Sequence, residues 1–198
     1  MPVSVPNRKG QILREATRLF SEDGYDKVTI KDLAYACGIT EPALYRHFAS
    51  KEAIYNSVLD SIEERSCPQQ LFDKLGQESS VEAILKGLAQ HVLDYFTKNQ
   101  DLHRLMLFSA LQEHSKAKRV YQIIRGSYIN FLTTQFDRLY ELGYIIRKNN
   151  QITARCFVGM VFDCALNTTL WRGYQGKIYN PQEVIANNIP IYVRGLES

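Results

Sequence analysis

A chain of 198 residues with 45% hydrophobic and 23% charged side chains has an ordinary soluble globular composition, with length for one large core or two small ones. No apolar run approaches the roughly 20 residues that span a bilayer, and residues 1–10 lack the apolar core of a signal peptide, so the expected compartment is cytoplasmic, with no membrane partner. A net charge of +3 is weak grounds for nucleic-acid binding, and residues 1–51 carry eight Lys and Arg against six Asp and Glu, so such binding has to be argued from where charges sit.

Glycine and proline punctuate one helical pattern after another and strand-like alternation is missing, which predicts an all-α protein. The first helix is expected over residues 9–22, where Ile12, Leu13, Ala16, Leu19 and Phe20 share a face. Gly24 follows at the place of a left-handed closing residue. Thr29 then stands as an N-cap with Asp32 three positions on, close to a capping box, for a short helix over 30–36 that stops at Cys37-Gly38. Thr40 caps the next short helix, and Pro42 lies in its first turn, where its missing N–H costs nothing. That helix carries Ala43, Leu44 and Tyr45 and ends near His47-Phe48. Ser50 caps a fourth, with Glu52 placed to suit the helix dipole. Residues 66–80, rich in Gln, Ser and Pro, read as a linker. Five longer helices are expected beyond it. The first bears an apolar stripe of Val81, Ile84, Leu85, Leu88, Val92, Tyr95 and Phe96; the next three span 101–114, 116–142 (closing at Gly143) and 152–171; the last follows Pro181 and is interrupted by Pro190. Cys37, Cys67, Cys156 and Cys164 form no CxxC pair and are read as buried thiols.

The strongest signal is the segment TIKDLAYACGITEPALYRHFASK over 29–51. Two short helices flanking a tight turn at Gly38 have helix-turn-helix spacing. Leu33, Ala34, Ile39 and Leu44 can pack both against the first helix. Thr40, Glu41, Ala43, Tyr45 and His47 are then left outward, a set of short, polar or flat side chains suited to a major groove.

This segment resembles the head of the TetR family of bacterial regulators, through Gly24, Thr29, the run from Ile30 to Ala34, Gly38-Ile39-Thr40, the run LYRHF from Leu44 to Phe48, and Ser50-Lys51-Glu52. The resemblance implies an all-α fold with a helix-turn-helix DNA-binding domain over 1–52 and a helical ligand-binding and dimerisation domain over 53–198. It further implies that Thr29 touches a phosphate besides capping its helix. Tyr45 fits a phosphate contact, His47 is a phosphate ligand or a capping histidine, and Lys51 at a helix N-terminus suits an anion. Glu41 departs from the commonest family pattern; it either accepts from a cytosine amino group or favours the helix dipole.

In the second domain, the stretch from Cys156 to Phe162 is apolar on every face and needs cover on two sides. The reading adopted is a homodimer through the last two long helices, near residues 157–170, with Gly159 allowing close approach. The family resemblance implies an internal cavity for a small, mostly apolar effector, with Phe108, Tyr128, Phe131, Phe162 and Trp171 as candidate walls. Asp163, inside that apolar helix, is read as a buried carboxylate that either pairs with Arg104 or Arg125 or receives the effector. His91 and Asp94 could supply two metal ligands with nothing to complete the set, so no metal, cofactor or catalytic residue is assigned. The functional expectation is an effector-controlled repressor that binds a palindromic double-stranded DNA operator as a dimer. The alternatives are a DNA-binding structural protein without an effector and, remotely, an all-α enzyme.

Overall fold

The computed structural model describes residues 7–65, 68–146, 148–169 and 180–197. The chain runs α1 (Arg8–Asp23), α2 (Ile30–Ala36), α3 (Glu41–Tyr45), α4 (Lys51–Arg65), α5 (Gln69–Leu75), α6 (Val81–Lys98), α7 (Gln100–Leu111), α8 (Ser115–Glu141), α9 (Asn150–Thr169) and α10 (Pro181–Glu197). The described residues contain no strand, so the all-α expectation holds. Two of its details change. The stretch read as a linker contains α5, and α10 runs through Pro190, giving up only the N–H bond that a proline cannot make.

The helices form two compact units. The first gathers α1–α4 with Asp101–Gln122, and the second gathers α5 and α6 with the residues from Ile123 onward; the division falls inside α8.

In the first unit the apolar face of α1 (Ile12, Ala16, Phe20) meets the buried face of α4 (Ile54, Tyr55, Val58, Leu59, Ile62). Each large apolar side chain removed from water in this way contributes about 1.5–3 kcal/mol. Tyr55 joins the layers: its ring stands edge-on to Phe20 at 5.3 Å and against Tyr25 at 4.6 Å. Its hydroxyl bonds to Ser109 of α7, whose own hydroxyl donates to Leu105 O at 2.6 Å. Lys116, at the start of α8, donates to Asn56 O at 3.1 Å and pairs with Asp60 at 2.8 Å, fastening α8 to α4. Gly24 has φ +83° and lies directly under the Phe108 ring, so a side chain there would be strained and obstructed.

In the second unit Ile84, Leu85, Leu88 and Val92 of α6 pack with Phe157, Val158 and Val161 of α9 and with Ile185 and Ile189 of α10. Leu75 of α5 fits over Gly87 of α6, where a larger residue would collide with it. The main chain after α8 is tied to α10 by Ile146 N–H donating to Leu196 O at 2.8 Å. Of the cysteines, Cys37 and Cys164 are buried as expected, Cys156 is exposed because it sits on the outward stripe of α9, and Cys67 lies outside the described residues.

His103 of α7 is 4% exposed, and burial pushes its pKa from the ordinary 6.5 down to about 4. The unfolded chain therefore binds a proton there that the folded chain does not. Stability is fully present above the ordinary value and is lost as pH falls from 6.5 toward about 4, by up to about 3 kcal/mol. Chemical denaturation followed from pH ~7 to pH ~4.5 should show this decline, and His103→Gln should flatten it. An equal decline in the variant would assign the effect to other groups.

Candidate nucleic-acid interface

Helices of seven and five residues are too short to persist alone, so their geometry has to come from caps and packing. Thr29 caps α2 with a complete capping box: its hydroxyl oxygen accepts from Asp32 N–H at 3.2 Å, and Asp32 Oδ2 accepts from Thr29 N–H at 2.9 Å. The Thr29 hydroxyl also donates to Asp32 Oδ2 at 2.6 Å, and these bonds from Thr29 hold the Asp32 carboxyl below the usual carboxylate range. The one hydroxyl proton of Thr29 thus points to Asp32, and a phosphate contact through it requires that bond to be exchanged. Thr40 caps α3 by accepting from Ala43 N–H at 3.3 Å, with Pro42 in the first turn. Gly38, at φ +63°, makes the bend between the two helices.

The orientation of α3 follows from Leu44, which is fully buried, and from Phe48 just beyond, which is 5% exposed. With those two inward, Thr40, Glu41, Tyr45 and His47 are exposed and Ala43 is half-buried, so these side chains form one outward surface. The Tyr45 ring is half exposed, which leaves its phenol free to reach a partner.

Lys51 is placed differently from the sequence expectation. Its ammonium donates to Tyr25 O at 2.9 Å and to Val28 O at 3.0 Å, and it lies 4.2 Å from the centre of the Tyr25 ring. Two of its three hydrogens are spent on closing the loop between α1 and α2, so it is first of all a tie within the head. Lys31 and Tyr35, one turn apart on α2, were not singled out in the sequence although both are exposed, Tyr35 by 87%. Leu33 and Ala34 as the buried pair already imply that position 31 faces out.

The candidate effector residues separate. Tyr128, Phe131 and Phe162 come together in the second unit: Tyr128 meets Phe162 at 5.9 Å, and Phe72 of α5 stacks on Phe131 at 4.4 Å and stands edge-on to Tyr128 at 5.7 Å. His91 packs on Tyr95 and Tyr128, and Asp94 accepts from Gln90. Phe108 belongs to the first unit, is 40% exposed and covers Gly24, so it is not part of that cluster. Trp171 lies outside the described residues. Asp163 is exposed rather than buried and accepts from Asn167 Nδ2 at 3.0 Å. The apolar run of α9 hid an outward stripe of Ile152, Cys156, Asp163 and Asn167, spaced by helical turns. Arg125 of the same chain reaches Gly159, its Nη2 standing 3.2 Å from where a Cβ on that glycine would lie.

Comparison with known proteins places this geometry. Residues 12–58 match the profile of bacterial regulatory proteins of the tetR family. The nucleoid occlusion factor SlmA of Aliivibrio fischeri (strain MJ11) is 31% identical over 162 residues, spanning 79% of this chain and 81% of that protein. SlmA of Haemophilus ducreyi is 31% identical over 132 residues, and there the match spans 65% of each chain, slightly under two thirds. Among solved structures, that of AibR in complex with isovaleryl coenzyme A and operator DNA superposes with a TM-score of 0.64 at 19% identity, covering 93% of this chain and 97% of AibR. At that identity the likeness is one of fold.

The Lys51 tie predicts a stability effect. Lys51→Ala deletes two charge-assisted hydrogen bonds and leaves two carbonyls short of a donor, which should cost about 2 kcal/mol. Thermal unfolding should show the loss. An unchanged midpoint would mean that the ammonium does not hold the loop.

Proposed function

Because the chain belongs to the tetR family of bacterial regulatory proteins, which are DNA-binding regulators of transcription, we propose that it is a repressor whose operator affinity is set by a small effector. The observation that carries the DNA-binding part is the outward surface of α3 with Leu44 buried behind it. In this reading α3 lies in the major groove, with Thr40, Glu41, Ala43, Tyr45 and His47 toward DNA. Lys31 and the remaining hydrogen of Lys51 meet phosphates, and Thr29 does so by exchanging its bond to Asp32. Glu41 stands in the first turn of α3, where a carboxylate is favoured by the helix dipole.

A palindromic operator needs two heads. The outward stripe of α9 ends in Ile152, 58% exposed, and α10 presents Ile191, 61% exposed. Large apolar side chains left in water on two neighbouring helices support a homodimer joined there. AibR, crystallised with both isovaleryl coenzyme A and operator DNA, supports effector control here by likeness of fold. The SlmA relatives, as nucleoid occlusion factors, support a second reading, DNA binding without a small-molecule effector. Operator affinity with and without a ligand shown to bind separates the two: an unchanged affinity with bound ligand favours the second.

The DNA face is tested by substitution. Tyr45→Ala should weaken operator binding about tenfold while leaving helical content unchanged, because no buried contact is removed. Lys31→Ala should reduce the slope of log affinity against log salt by about 0.9. Full operator affinity in both variants would remove α2 and α3 as the DNA face, and a monomeric mass in sedimentation would remove the dimer.

A further inference from the structure

Between α1 and α2 the first unit carries an open groove of about 570 Å³. Its floor is apolar: Val28 is buried, and Leu19 and Ala36 are half-buried. Tyr35 stands at its rim, 87% exposed, with no ring contact and no side-chain hydrogen bond among the described residues. Tyrosine is among the side chains that anchor protein contacts, and it does so by filling a pocket on the other surface. Here the knob and a hollow that no described element fills lie on the same face.

The charges on the rim say what kind of partner fits. Arg18 and Lys27 balance Asp23 and Asp32. A rim with no net charge and two carboxylates does not draw phosphates, so this side of α2 is not part of the DNA face. Arg18 is committed to Glu15 at 3.2 Å and to Glu22 at 2.9 Å, and Asp32 to its capping box. Asp23 and Lys27 remain, one of each sign, both exposed and with no ion pair among the described residues. A partner segment of a single charge sign would set a like charge against one of them. A face with a knob, a hollow and one uncommitted charge of each sign is instead complementary to itself. Under a two-fold axis Lys27 of each copy meets Asp23 of the other, and every contact is made twice.

Two tyrosines bury about 150–250 Å² each, far below the roughly 1,200–2,000 Å² of a stable interface. The contact is therefore too small to join free molecules and gains weight only where DNA already holds two of them side by side. We propose that the groove is a contact surface between heads on neighbouring DNA sites: Tyr35 of a second copy of this chain enters the groove beside Val28, and the first copy's Tyr35 enters the groove of the second. This rests on the DNA-binding reading given above and not on effector control.

The test uses the whole chain and a duplex selected from random sequence for tight binding, carried once or as two copies whose spacing is stepped through one helical turn. At one phase of the spacing the second site should fill about tenfold more tightly than the single site. Tyr35→Ser should remove that gain with single-site affinity and helical content unchanged, because no buried contact is lost. Lys27→Glu should remove it by setting like charges opposite each other. Asp23→Lys combined with Lys27→Glu, which exchanges the two signs, should restore it. The gain is a ratio of two affinities, so a general effect of either charge on DNA binding cancels. The proposal is overturned if no spacing gives a gain, or if Tyr35→Ser keeps it, which would assign the gain to the DNA between the sites. It is overturned equally if the charge exchange leaves the gain lost, which would assign the groove to a different protein, or if Tyr35→Ser weakens the single site, which would place the ring on DNA. Single-site binding without any gain refutes the head contact and keeps the DNA-binding reading; a chain that binds no selected duplex refutes both.

Discussion

A helix of five residues makes too few internal hydrogen bonds to hold itself in water, and the outward surface of α3 depends on what fixes it. Thr40 and Pro42 set its first turn, and Leu44 and Phe48 fasten its inner side to the core. That core is itself steadied by a loop that carries no side chain of its own to close it. Lys51, at the start of α4, reaches back 26 and 23 positions to the carbonyls of Tyr25 and Val28. The ammonium holds the end of the α1–α2 connection at the N-cap of α2, and the capping box at Thr29 and Asp32 takes over from there. One cation thus fixes where α2 begins, and the turn at Gly38 carries that placement to α3.

The same dependence extends along α4. Tyr55 and its partners Phe20, Tyr25 and Ser109 join α1, the α1–α2 loop and α7, while Lys116 clamps the first turn of α8. The unit that presents α3 is therefore larger than a three-helix head, since its packing includes Asp101–Gln122. A near-neutral head is compatible with DNA binding on these terms, because affinity for phosphates depends on which cations are free at the surface. Lys31 is exposed whereas Lys51 is largely used up internally.

What the sequence disclosed was the part written in local chemistry. Caps at Thr29 and Thr40, glycines at 24, 38 and 143 with positive φ, and the inward leucines all obey rules that act within a few residues. What it concealed depends on contacts far apart in the chain. The engagement of Lys51 with carbonyls on another loop has no local signature. Phe108 reads as one more apolar residue of a C-terminal helix until Gly24 is found beneath it. Asp163 misled for a different reason: a helix with apolar residues on most positions still keeps a narrow outward stripe, and a carboxylate on that stripe sits in water. Arg125, within the mixed-polarity α8, is half-buried with its Nε out of reach of water, and nothing local in the sequence sets it apart from the other arginines.

An effector alters DNA binding only by the difference in its affinity for two conformations, and a coupling of about 1–3 kcal/mol corresponds to a change of about 5–150-fold. An aromatic wall alone discriminates poorly between conformations, because dispersion contacts tolerate small shifts. A charge-assisted hydrogen bond is demanding in distance and angle, so a polar anchor separates two conformations more sharply than an apolar contact does. The division between the two units falls inside α8, so that one helix contributes residues to both. On the proposed reading, linkage requires that an effector which lowers operator affinity be itself held less tightly by the operator-bound protein, by the same factor.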